Sequence, residues 1–349
     1  MDVPCVRVPR ERGEETRRRL AEADLVDHDH EIVVEDGTLY LPVTDAAAVP
    51  DEFDVVFREP PDRETGTAPA DLLGFEPSYE RIGDIVAIDE DDAARAERIA
   101  DAVLDSDLPA RAVIDRASKV KGETRVREWD IVADMGERSP TETVHREYGC
   151  EFLVDLAEVY FSPRLATERH RVAEQVEDGE RAFDMFAGVG PFVIPFAKRG
   201  AEVVGTDLNE RAIEYLRENA RRNGVSERVT AIAGDVRDVV SGSSGATASD
   251  GVREVVSERE YGGWADRVVM NLPHSADDFL DTAVALAGDD CTLHYYDIQS
   301  EDDPFGPGEA AIREAAGEEY EVFVETCHTV RSYAPHELNV CLDVRLVRQ

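Results

Sequence analysis

The chain has 349 residues, with 77 Asp and Glu against 38 Lys and Arg, a net charge of −39. Apolar residues still make up 42% of it and hydrophobic periodicity persists, which excludes intrinsic disorder and leaves room for two or three domains with real cores. Five scattered cysteines with no C-x-x-C pair exclude a disulfide framework and a zinc site, so no metal is expected. No apolar leader region opens the sequence and no apolar run is long enough for a bilayer, so a soluble, cytoplasmic protein without membrane contact is expected. The acidic surface is that of a halophilic protein, because concentrated salt screens self-repulsion.

Residues 1–68 read as a small α/β module. Val3–Val8 is a strand, Glu11–Asp24 has helical spacing, and the segments 31–34 and 38–41 flank Glu35-Asp36-Gly37, a hairpin signal. Phe53–Phe57 is a further strand, and residues 59–67 read as a linker. Residues 69–164 form a β-rich α+β region. Strands are expected over 82–88, 112–114, 124–129, 142–147 and 151–161, with a helix over 91–104. Arg111, Arg116, Lys119, Lys121, Arg125 and Arg127 cluster there, either as a solvated face or as an anion or RNA contact.

From about residue 165 strands and helices alternate. Strands are expected near 181–186, 201–207, 229–234, 266–271, 291–298, 320–331 and 338–347, with helices near 191–199, 209–222, 275–287 and 308–316. Only residues 332–337 separate the last two strands, too few for a parallel crossover, so they pair as an antiparallel hairpin. A seven-stranded sheet ending this way is the arrangement of class I methyltransferases. Residues 241–263, rich in Ser, Gly and acidic side chains, read as a surface insertion.

The organising stretch is Phe183-Asp184-Met185-Phe186-Ala187-Gly188-Val189-Gly190-Pro191-Phe192 followed by Val203-Val204-Gly205-Thr206-Asp207. It reads as strand, Gly-rich turn, helix, strand and a closing carboxylate. A dinucleotide fold wants G-x-G-x-x-G, but Val193 fills the third glycine slot and Asp184 would repel pyrophosphate. S-adenosylmethionine fits better, with Asp184 toward its methionine end and Asp207 toward its ribose hydroxyls. An idle Rossmann-like turn is the alternative.

Asn271-Leu272-Pro273-His274 closes the fourth strand of this region, along the edge where open α/β sheets bind ligands. Methyltransferases acting on planar nitrogens use a related Asn-Pro-Pro-aromatic motif, from which Leu272 and His274 depart. Upstream, Tyr160-Phe161-Ser162-Pro163-Arg164-Leu165 leads to Glu168, and Arg164 and Glu168 share one helical face, where they read equally well as an i,i+4 ion pair.

These segments, together with His294-Tyr295-Tyr296 and Val330-Arg331-Ser332-Tyr333-Ala334-Pro335, resemble the archaeal and eukaryotic tRNA (guanine-N1-)-methyltransferases that modify the guanine 3′ of the anticodon, position 37. The resemblance spans the whole chain. It implies S-adenosylmethionine as cofactor, tRNA as partner and a monomer, with residues 1–68 contacting a distant part of the tRNA and 165–349 as the catalytic domain. It implies a cofactor site of Asp184, Phe186, Gly188, Gly190, Asp207, Leu208, Asp235 and Asn271. Glu168 would be general base, with Asn271 holding the base edge and Tyr160 beside the extruded base. Arg127, or else Arg125, would face O6, and Arg164 and Pro273 would touch RNA. The rivals are an aminocarboxypropyl transferase of wybutosine-type modification and a non-catalytic RNA-binding protein with a relic cofactor fold.

Overall fold

The computed structural model describes residues 2–35, 37–50, 52–62, 66–118, 126–241 and 261–349. The expected hairpin residue Asp36, part of the linker, Lys119, Lys121, Arg125 and most of the 241–263 insertion lie outside the described residues. The chain divides into two compact units, residues 1–68 with 106–108, and residues 69–105 with 109–349.

In the first unit β1 (Val3–Pro9), α1 (Gly13–Glu22), β2 (Val33–Glu35), β3 (Thr38–Pro42) and β4 (Asp54–Arg58) build an antiparallel sheet in the order β2-β3-β1-β4. Val6, Val8, Leu20, Leu41 and Phe53 are buried together as its core.

The second unit opens with α2 (Pro69–Leu73), β5 (Glu80–Ile82), β6 (Ile85–Ile88), α3 (Ala93–Asp105), β7 (Ala112–Arg116) and β8 (Trp129–Asp134). The single strand expected over 82–88 is two, folded back at Gly83, whose φ of +58° no β-branched residue tolerates. A Cβ there would sit 2.2 Å from Thr143 Oγ1, so the turn can be made only by glycine. Of the strand expected over 124–129, residues 124 and 125 lie outside the described residues, and β8 begins at Trp129, opposite Arg116 of β7. β9 (Glu142–Glu147) and β10 (Cys150–Asp155) form a hairpin. β10 stops well short of the expected Phe161, because the Asp155 carbonyl takes the N–H groups of Glu158 and Val159 and turns the chain.

The remaining elements are α4 (Ala166–Ala173), β11 (Arg181–Asp184), α5 (Val193–Lys198), β12 (Glu202–Asp207), α6 (Glu210–Arg222), β13 (Val229–Ala233) and α7 (Val236–Ser241), followed by β14 (Ala265–Met270), α8 (Leu280–Leu286), β15 (Ala287–Ser300), α9 (Gly306–Ala316), β16 (Tyr320–Ala334) and β17 (Glu337–Arg348). Their seven strands lie in the order β13-β12-β11-β14-β15-β17-β16, parallel from β13 through β15 and antiparallel beyond. This is the class I methyltransferase sheet with its terminal antiparallel hairpin. One buried cluster joins Ile82, Ile85 and Ile114 of the middle sheet, Phe152 of β10 and Val193, Phe196 and Leu216 of the helices on the seven-stranded sheet. Asn219 of α6 ties the parts polarly: it accepts the Leu153 N–H at 2.7 Å and donates to Val189 O at 3.0 Å.

Candidate active site

A cleft of about 1610 Å³ lies at the carboxyl ends of β11, β12, β13 and β14. The turn after β10, residues 116–118 and 127, and the tip of the β16–β17 hairpin complete its walls. On one side the β11–α5 loop is shaped by carboxylates. Asp207 accepts the Gly188 N–H at 2.8 Å and the Asn209 N–H at 2.9 Å, and its carboxylate lines the cleft half-buried. Burial pushes its carboxyl up despite those two N–H donors. Gly188 has φ +52°, and a Cβ there would meet nothing within 4 Å, so the loop leaves open space beside it. Phe186, Leu208 and Asp235 also line this side, with Phe186 edge-on to Phe279 at 5.0 Å. Arg237 holds Asp235 through Nε at 2.9 Å and keeps its carboxyl below the usual range.

Two residues expected here do not reach the cleft wall. Asp184 is buried behind it. Its Oδ1 takes the Phe186 N–H at 3.2 Å, while its Oδ2 has no hydrogen-bond partner among the described residues. Burial, with Asp207 adding to it, pushes the Asp184 carboxyl up to about 7. Gly190 has φ +92°, and a Cβ on it would lie 2.3 Å from Leu216 Cδ1, so it serves helix packing rather than ligand approach.

Asn271 and Pro273, just past β14, line the cleft, as do Tyr160 and Arg127. The Asn271 side chain has no hydrogen-bond partner among the described residues, and its loop is pinned by Ile298 N–H donating to Pro273 O at 3.1 Å. His274, where the related motif has an aromatic, meets Tyr333 edge-on and shares a 2.9 Å hydrogen bond with its hydroxyl. The arginines of the cleft divide sharply. Arg116, Arg169 and Arg237 are paired with Glu80, Glu147 and Asp235. Arg127 and Arg331 have no ion pair among the described residues; Arg127 lies over the Trp129 ring at 5.4 Å, and burial beside Arg116 lowers its pKa. In a chain of net charge −39, unpaired guanidinium groups mark where an incoming group must supply negative charge. Arg164, expected to touch RNA, pairs instead with Glu80 at 3.1 Å, outside the cleft wall.

Glu168 is the main departure from expectation. Its neighbours Leu165 and Arg169 line the cleft, but its own carboxylate is 4% exposed and faces away from it. It accepts from Arg171 Nε at 2.7 Å and Nη2 at 2.8 Å and from Tyr296 OH at 2.8 Å, with His328 Nε2 at 3.2 Å. The expected pair with Arg164 does not form. Arg171 continues to Asp343, which accepts from His294 Nδ1 at 2.6 Å. Arg267 donates to His294 Nε2, which fixes His294 as the neutral tautomer protonated on Nδ1, in line with burial lowering its pKa. Burial alone would raise the Asp343 carboxyl, but His294 and Arg171 hold it well below the usual carboxylate range. Ligand atoms of His294, Cys341 and Asp343 lie within 4.8 Å of one another, and the positive charge among them comes from Arg171 and Arg267.

Family comparison matches residues 143–323 to the TRM5/TYW2 methyltransferase domain and residues 5–51 to the tRNA methyltransferase 5 N-terminal domain. The chain belongs to the TRM5/TYW2 methyltransferase family. It is 39% identical to the Pyrococcus abyssi tRNA (guanine(37)-N(1))-methyltransferase Trm5b, covering 98% of each protein. It resembles the solved complex of aTrm5 with tRNALeu at 30% identity and a TM-score of 0.66, covering 98% of this chain and 99% of that one. It also resembles the Methanocaldococcus jannaschii TYW2 bound to AdoMet, at 25% identity and a TM-score of 0.58, covering 78% of this chain and all of that one, 100%.

The family is dependent on S-adenosylmethionine, and the residues present fit it. The open space at Gly188 and the half-buried Asp207 carboxylate beside it make an acidic cradle at the cleft wall, with the Asp184 carboxyl buried behind it. Asp207→Ala removes a charged acceptor worth about 1.5–3 kcal/mol. Calorimetry should therefore show donor binding weakened by at least about tenfold, by the equivalence of tenfold to 1.4 kcal/mol.

Proposed function

We propose that the enzyme transfers a methyl group from S-adenosylmethionine to N1 of the guanine at tRNA position 37. One observation carries this reading: Asn271, whose amide is unengaged among the described residues, lines the same cleft as Asp207 and as Arg127, which has no ion pair among the described residues. Guanine N1 bears a proton, so alkylation there requires its removal and spreads charge onto O6. Arg127 is cationic at any working pH, and burial strengthens its field on an oxyanion. Asn271 offers a carbonyl and an amide to the base edge, and Tyr160, 40% exposed at the cleft, offers a surface for a base taken out of its stack. The bound donor supplies an electrophilic sulfonium methyl. Glu168 accepts the N1 proton, for which its carboxylate must turn from Arg171 toward the neighbouring cleft; catalytic hydrogen bonds often tighten only in the substrate complex.

The enzyme works as a monomer without a metal, in a cytoplasm of high salt. There shape contacts and stacking carry RNA recognition, because phosphate contacts weaken with salt. Residues 1–68 hold a distant part of the tRNA. Among the described residues no helix is long and apolar enough to cross a membrane.

The test is a transfer assay in concentrated KCl with tRNA transcripts carrying guanine or another base at position 37. Mass analysis should give one added methyl on guanine only. The heavier aminocarboxypropyl adduct, or no product with either base, overturns the reading.

A further inference from the structure

The tip of the β16–β17 hairpin carries two polar groups that nothing among the described residues satisfies. Asn339 is 4% exposed and its Oδ1 is buried without a hydrogen-bond partner among them. Arg331 Nε is likewise buried without one, and its guanidinium has no ion pair among the described residues. The two are directly opposite in the β16–β17 register, so they share one face of the sheet, and both line the cleft. Leaving a buried polar atom unpaired costs free energy that a ligand recovers on binding.

Chemistry narrows what that ligand is. Oδ1 demands a donor, while Arg331 demands an acceptor and a negative charge. A phosphate alone offers no donor, and a neutral base edge leaves the guanidinium uncompensated. An RNA backbone unit offers both, a ribose 2′-hydroxyl and the phosphate next to it. Position agrees with this. Asn339 lies opposite Ile298, whose N–H bonds Pro273 O in the Asn271 loop. If Asn271 turns the guanine's N1 edge toward the Asp207 side, the glycosidic nitrogen and its sugar trail toward the opposite wall, which this hairpin builds.

We infer that Arg331 and Asn339 grip the ribose-phosphate of the target nucleotide. Asn339 accepts from its 2′-hydroxyl, and Arg331 pairs with its 3′-phosphate. The site thus checks that the nucleotide is RNA at the point of reaction. This rests on the reading of the cleft as a tRNA guanine methyltransferase site.

The test compares kcat/KM in KCl for tRNA assembled with guanosine or with 2′-deoxyguanosine at position 37. The wild-type enzyme should be slower on the deoxy tRNA by about tenfold, the effect of one lost hydrogen bond to a buried acceptor. Asn339→Ala should lose about as much on the all-ribose tRNA and discriminate between the two by no more than about twofold. Arg331→Gln should flatten the dependence of log kcat/KM on log salt by about 0.7, one single-strand phosphate. Equal wild-type rates on both tRNAs overturn the inference and need no variant. So does an Asn339→Ala enzyme that binds the donor normally yet discriminates as the wild type does, or an unchanged salt slope in Arg331→Gln. Failure of the all-ribose tRNA to be methylated at all would instead strike the underlying functional reading.

Discussion

Glu168→Gln should lower kcat by about 10²–10⁴, the range a general base contributes. The amide keeps the shape and can still accept from Tyr296 OH, which donates to Glu168 Oε1 at 2.8 Å, but it cannot take the N1 proton. Two roles must be separated, because the same carboxylate anchors Arg171 on two nitrogens. If anchoring were its whole contribution, the variant would lose stability and regain its rate under conditions that restore the fold. If it is the base, donor and tRNA binding survive and kcat stays low in folded enzyme. Single-turnover rates, with donor affinity and unfolding measured alongside, distinguish the two. A folded variant that turns over at the wild-type rate removes Glu168 from proton transfer.

Asp343→Asn is expected to lower stability by about 1.5–3 kcal/mol, since two buried donors lose a charged acceptor. Asp343 is 1% exposed, shares Arg171 with Glu168 and holds Nδ1–H of His294. The sign of the pH effect follows from its depressed pKa. The contribution is complete above the unfolded value of about 3.9 and is lost as pH falls below it toward the folded pKa. His294, kept neutral by burial, adds a loss that begins as pH falls below about 6.5, where the unfolded histidine takes a proton. Asp184 runs the other way. With its carboxyl raised to about 7, its burial costs stability progressively as pH rises toward that value. Denaturant unfolding at fixed KCl should therefore show the wild-type protein losing stability steeply below pH of about 4, and Asp343→Asn should lack that steep part. A variant with the wild-type acid limb would mean that other carboxylates, not Asp343, set the acid transition.

With Glu168 proposed as the base, the buried ion network has a consequence for rate. Arg171 binds Glu168 and Asp343 together, so its guanidinium would set how readily Glu168 turns toward the cleft. In the arrangement observed that turn is opposed by a bidentate ion pair and by the Tyr296 hydroxyl. Substrate entry would then have to supply the difference, tying proton removal to a correctly seated base.

Much of this protein was legible in its residues. Strict alternation of apolar strand runs and amphipathic helices after residue 180 fixed the parallel sheet, and the six-residue gap at 332–337 fixed its antiparallel end, since chain geometry allows nothing else there. Asp207 beside Gly188 and Asn271 at a strand tip were placed in the cleft by the same logic. Local pattern could not decide where a chain folds back within an apolar run. The break at Gly83 is imposed by Thr143 and Val144, some sixty residues away. Nor could it separate a glycine that meets a ligand from one that meets Leu216, because both carry the same letter.

Only the tertiary structure decided which charges are already satisfied. Sequence spacing pairs Arg164 with Glu168. The fold gives Arg164 to Glu80, gives Glu168 to Arg171, and leaves Arg127, Arg331 and Asn339 unmet at the cleft. The physical reason is range. Secondary structure answers to neighbours three or four residues away, whereas the electrostatic state of a side chain depends on whatever packing brings within about 4 Å, from any distance along the chain.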